Sequence, residues 1–80
     1  MKNEYVSNLK VLWISEKNGN GICIDNSGNE CYIDSSIEGF EQLRRKDNVS
    51  GTVYRLLPDG ILCVKNLNTK YNSSAVIKNY

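Results

Sequence analysis

The residues able to do chemistry in this sequence are few, and their types exclude more than they permit. There is no histidine, and the three cysteines, Cys23, Cys31 and Cys63, include no C-x-x-C pair. An odd number of thiols without imidazole partners provides neither a disulfide framework nor a zinc site. Each cysteine lies inside an apolar run, where a free thiol behaves as a small buried hydrophobe. All three therefore read as reduced core residues of a cytoplasmic protein. The carboxylates fall on presumed turns and strand ends, with no spacing that suggests an acid/base pair. There is no glycine-rich phosphate loop and no serine paired with a base. The expectation is a protein that is not an enzyme and takes no cofactor. What remains is contact chemistry. It comprises the rings Trp13, Tyr32 and Phe40, the cations Lys17, Arg44, Arg45, Lys46 and Arg55, and the aliphatic side chains Ile14, Ile22 and Ile24.

The elements that must position these groups are short strands. Residues 5–14, YVSNLKVLWI, are β-branched and aromatic. Strict alternation from Leu9 puts Leu9, Val11 and Trp13 on one face and Lys10, Leu12 and Ile14 on the other. Residues 21–25 and 30–34 flank the turn DNSGN, and the second of them sets Cys31 and Ile33 against Tyr32 and Asp34. After it, Ser35 or Ser36 could cap one turn of helix, which Gly39 cuts short. Residues 48–57 predict a fourth strand, with Val49 and Val53 in phase and Gly51 weakening it or marking a bulge. Gly51 stands where a larger core residue is expected, so Tyr54 or the tail must fill its space. The segment L-P-D-G is a turn in which proline presets the first corner and glycine tolerates positive φ, and residues 61–67 form the last strand.

Eighty residues make one domain, near the lower limit for a chain that folds alone. No run of eighteen apolar residues marks a membrane span, and MKNEYVSNLK lacks the apolar stretch of a secretory signal. The net charge is +1, but its halves differ. Residues 1–41 carry three basic against seven acidic side chains, and residues 42–80 carry seven basic against two acidic. Five short strands joined mostly by hairpins in so short a chain leave two open edges unless they close on themselves. The fold expected is therefore all-β, a small five-stranded OB-type barrel with a short helical turn after the third strand. An SH3-like barrel is the alternative on strand count.

The ordered set of motifs narrows the choice. Trp13-Ile14 ends the first strand and G-N-G-I-C-I follows at 19–24. C-Y-I-D-S-S spans 31–36, then come Ile37, Gly39-Phe40-Glu41-Gln42-Leu43, Val49 and finally Asn66-Leu67. In order and spacing this resembles the cold-shock domain family over residues 9–67, about three quarters of the chain. The resemblance implies a cold-shock-like barrel over 1–67. It leaves 68–80 as a C-terminal extension, either packed on the barrel or flexible. It also implies binding of single-stranded RNA or DNA, with bases stacked on exposed rings. Trp13, Tyr32 and Phe40 would stack, and Lys17, Arg44, Arg45, Lys46 and Arg55 would meet phosphates.

The departures from the family pattern point the other way. The two aromatics of the glycine strand are Asn20 and Ile22 here, the His-aromatic pair is Asp34-Ser35, and the aromatic after Trp13 is Ile14. Each lost ring removes about 1–3 kcal/mol of stacking, and Asp34 adds negative charge where a phosphate chain would lie. In the family register Ile14 and Ile22 lie on the open sheet face beside Trp13 and Tyr32, an apolar patch of the kind that marks an interface. The second expectation is accordingly a protein–protein interaction module, an adaptor, inhibitor or self-associating barrel, using Ile14, Ile22, Ile24 and Tyr32. Trp13 and Tyr32 also read as half-buried packing rings, Phe40 as a loop anchor, and Arg44-Arg45-Lys46 as a solvated loop.

Overall fold

The computed structural model describes residues 4–68, and the rest of the expected C-terminal extension lies outside the described residues. Five strands, β1 (Glu4–Ser15), β2 (Asn20–Ile24), β3 (Glu30–Asp34), β4 (Asn48–Leu56) and β5 (Ile61–Leu67), close a barrel in the order β1-β2-β3-β5-β4. One 3-10 turn, Phe40–Gln42, follows β3. The architecture is that of a small OB-type barrel.

The barrel closes because β1 is long enough to serve two neighbours. Glu4–Lys10 pairs with β4, and Lys10–Ser15 pairs with β2. Where β4 runs out, the preceding loop takes over the ladder. Val11 N–H donates to the Asp47 carbonyl at 2.8 Å, and Lys46 N–H donates to the Val11 carbonyl at 2.7 Å. The remaining seam is parallel and short, with Cys31 opposite Leu62 and Tyr32 opposite Cys63.

The core follows the alternation of each strand. Leu9, Val11, Cys23, Cys31, Val53 and Val64 point inward and are buried. Phe40, the first residue of the 3-10 turn, and Leu43, just after it, join the same cluster. Gly39, not a serine, precedes that turn, with φ 94° and no side-chain cap. Ser36 is occupied with Asp34 instead. The Leu57–Pro58 peptide is cis. Gly51 needs no distant filler. A Cβ there would lie 2.9 Å from the Asn66 carbonyl oxygen and from Leu9 Cδ1, so the opposing strand and Leu9 already take its space. Tyr54 does not fill it, because it stands on the outer face.

The β2–β3 hairpin is organised by one buried carboxylate. Asp25, 7% exposed, accepts from the Tyr5 hydroxyl at 2.6 Å and from the backbone N–H of Ser27 at 2.9 Å and Asn29 at 2.8 Å. The Asn29 side-chain amide adds a longer bond at 3.3 Å.

Candidate nucleic-acid interface

A single irregularity places the tryptophan. Between Val11 and Trp13 the β1–β2 register shifts by one residue, so Val11 faces Cys23 while Trp13 faces Ile22. Leu12 is the extra residue. Such a bulge reverses which side chains point inward beyond it. Trp13 is therefore not on the face of Leu9 and Val11, as strict alternation predicts, but outside, 45% exposed. By the same shift Ile14 packs against the core and leaves the open face.

The outer face then carries a lateral row across the sheet. Trp13 stands opposite Ile22, Ile22 opposite Tyr32, Tyr32 opposite Cys63, and Cys63 opposite Tyr54. Tyr32 is 47% exposed. These side chains line an open groove of about 280 Å³, rimmed by Asn20 and Asp34, which face each other across β2 and β3. Cross-strand neighbours have Cβ atoms about 5 Å apart, so rings two strands apart stand roughly 10 Å apart, with Ile22 or Cys63 between them.

Sequence reasoning missed two members of the row. The signal was parity: Val53, Leu62 and Val64 point inward, so their neighbours Tyr54 and Cys63 must point out. Cys63 is thus half-buried in the groove instead of in the core. Cys23 and Cys31 do lie in the core, directly opposite one another, and burial pushes both thiols up to about 11. In the native protein a disulfide reagent such as DTNB is expected to modify Cys63 readily. Cys23 and Cys31 should react only after unfolding, and native release of all three thiols would contradict these placements.

The other expected site residues are dispersed. Phe40 is 4% exposed and anchors the loop from inside the core, so it offers no face for stacking. Ile22 and Ile24 are half-buried on the outer face. Lys17 is exposed in the β1–β2 turn, and Arg44, Arg45 and Lys46 are exposed in the loop beside β1. None of the expected cations lines the groove. The Arg44 guanidinium donates to the Leu43 and Glu41 carbonyls at 3.1 and 3.4 Å, and Arg55 donates to the Gly60 carbonyl at 3.1 Å, closing its own hairpin. Lys46 adopts φ 76°, a left-handed conformation that costs a non-glycine residue about 1 kcal/mol.

The groove's charge is negative at its rim. The Ser36 hydroxyl and backbone N–H both donate to Asp34 Oδ1, and they hold that carboxyl below the usual range. The Cys63 sulfur beside Tyr54, with partial burial, raises the Tyr54 phenol. Among the described residues no helix is long and apolar enough to cross a membrane, and no cluster of His, Cys, Asp or Glu is placed to hold a metal ion. Compared with family models, with curated proteins and with solved structures, the chain matches none of them.

Proposed function

We propose that this protein is a non-enzymatic, cold-shock-like module of the cytoplasm that binds single-stranded RNA or DNA weakly. The observation that carries the reading is the lateral row of outward rings, Trp13 and Tyr32 separated by Ile22, with Tyr54 beyond Cys63. Rings spaced this way stack bases without regard to sequence, because every base has a π-face. Two or three stacked bases at about 1–3 kcal/mol each, opposed by Asp34, support micromolar rather than nanomolar affinity. None of the expected cations lines the groove, so phosphate neutralisation is modest. About three contacts give a slope of log K against log salt near −2. The free Cys23 and Cys31, facing each other unbonded, suit a reducing compartment.

The test is a titration with a labelled mixed-sequence single-stranded 9-mer at low and moderate salt, read by anisotropy and by Trp13 fluorescence. Binding is expected to quench Trp13 and to weaken as salt rises. Trp13→Ala and Tyr32→Ala should each lose about tenfold in affinity, about 1.4 kcal/mol, with far-UV circular dichroism unchanged. No binding at low salt would sink the reading, and unfolding of Trp13→Ala would make the indole a packing group.

A protein-interaction module is the second reading. The face named for it loses Ile14 to the core and keeps Ile22, Ile24 and Tyr32. Leu56, Leu57 and Ile61 are exposed together around the β4–β5 hairpin and favour it. Concentration-dependent sedimentation without oligonucleotide binding would select self-association.

A further inference from the structure

Resting on the single-strand reading above, we propose that Asp34 sets base preference in the groove, selecting bases that present an amino group over uracil and thymine. Asp34 lines the same groove as Trp13, Tyr32 and Tyr54. It stands two residues beyond Tyr32 on β3, about 7 Å along the strand. That separation is within the reach of a base stacked on Tyr32 plus one hydrogen bond. Its two oxygens are not equivalent. Ser36 engages Oδ1 through both its hydroxyl and its backbone N–H, which fixes the carboxylate plane. Oδ2 has no hydrogen-bond partner among the described residues. That unengaged oxygen belongs to a residue that lines the groove, so it is available to a ligand edge there.

An ionised carboxylate only accepts. Its lowered proton affinity keeps it in that form at neutral pH. Cytosine offers its 4-amino group, adenine its 6-amino group and guanine its 2-amino group. Uracil and thymine offer one edge donor, N3–H, set between two carbonyl oxygens that would face the carboxylate. Asn20, opposite Asp34, carries both a donor and an acceptor and tolerates any base edge. Discrimination therefore falls on Asp34. Replacing the carboxylate by an amide keeps an oxygen for Ser36 and turns the second position into a donor that suits the uracil carbonyl.

The experiment compares dC9 with dU9, which differ at the base edge and hardly in stacking, for the intact chain and for Asp34→Asn. The wild-type protein is expected to bind dC9 about five- to tenfold more tightly than dU9. Asp34→Asn is expected to bring the two within about twofold, chiefly by tightening dU9. Equal wild-type affinities, or a dU9 preference, would overturn the assignment without any variant. So would a preference that survives in Asp34→Asn or in Asp34→Ala. If neither oligonucleotide, nor dA9, binds at low salt, the single-strand reading itself fails and takes the assignment with it. Binding of all three without discrimination removes Asp34 alone.

Discussion

Gly21→Ala is expected to destabilise the barrel by about 3 kcal/mol and to lower its melting temperature by about 15 °C. The residue pairs with Ile14 on β1 and Ile33 on β3, with its missing side chain directed inward. A Cβ there would lie 2.6 Å from the Trp13 carbonyl oxygen and 2.6 Å from Ile14 Cδ1. The isoleucine tip can move, but the carbonyl cannot without shifting the strand that carries the tryptophan. The close approach lies where β1 and β2 pair just beyond the bulge at Leu12. The contrast is Gly28→Ala in the β2–β3 turn. There φ is 88° but nothing lies within 4 Å, so only the backbone preference is lost, about 1 kcal/mol. Thermal melts of the two variants separate a steric from a conformational requirement. A Gly21→Ala protein as stable as wild type would show that β1 and β2 are not so close. Since the domain as a whole is held by only about 4–12 kcal/mol, a 3 kcal/mol loss is a large share.

Asp25→Ala should cost a comparable amount, again about 3 kcal/mol, for electrostatic reasons. Removing the carboxylate strips the acceptor from the Tyr5 hydroxyl and from the amides of Ser27 and Asn29. Hydrogen bonds to a charged group contribute about 1.5–3 kcal/mol each, and water at the turn recovers part of the loss. Burial pushes the Asp25 carboxyl up, but the bonds from Tyr5, Asn29 and Ser27 together outweigh it and leave it below its ordinary value. The sign is then fixed. The unfolded chain binds the proton more readily, so this stabilisation is complete above the unfolded value near 4. It is lost as pH falls through the lower folded value. Denaturant melts between about pH 6 and pH 2.5 should show wild-type stability falling below about pH 4, with that slope reduced in Asp25→Asn. Equal slopes in the two proteins would remove Asp25 from the account. Tyr5→Phe deletes one partner only and should cost about 1.5 kcal/mol.

The order of strands was legible because every hairpin carries its own turn chemistry and no strand is interrupted by proline. Cys31, Tyr32, Ile33 and Asp34 took their faces from simple alternation, since β3 pairs without irregularity. The same rule failed in β1. A bulge leaves no mark on hydrophobic periodicity, so Trp13 and Ile14 exchange sides relative to a strict count from Leu9. Phe40 shows a second kind of failure. A ring in a loop reads equally as a surface group or as an anchor, and only the 3-10 turn that aims it inward decides. Tyr54 and Cys63 were hidden for a third reason. Parity turns them outward, but their place beside Tyr32 depends on the parallel β3–β5 closure, which joins segments distant in sequence and has no local signal. Asp34, by contrast, was visible as an oddity from the start.

That parallel closure has a mechanical implication. Among the described residues the ladder between the third and fifth strands has only two registered pairs, Cys31–Leu62 and Tyr32–Cys63, and the crevice straddles that stitch. Tyr32 belongs to one lip and Tyr54 to the other, each carried by a different hairpin. Parting the stitch is the least demanding way to breathe for a cylinder otherwise zipped by antiparallel ladders. The spacing between the two phenol rings is therefore the dimension of this molecule that yields first, and a guest wedged between them would act as a rivet.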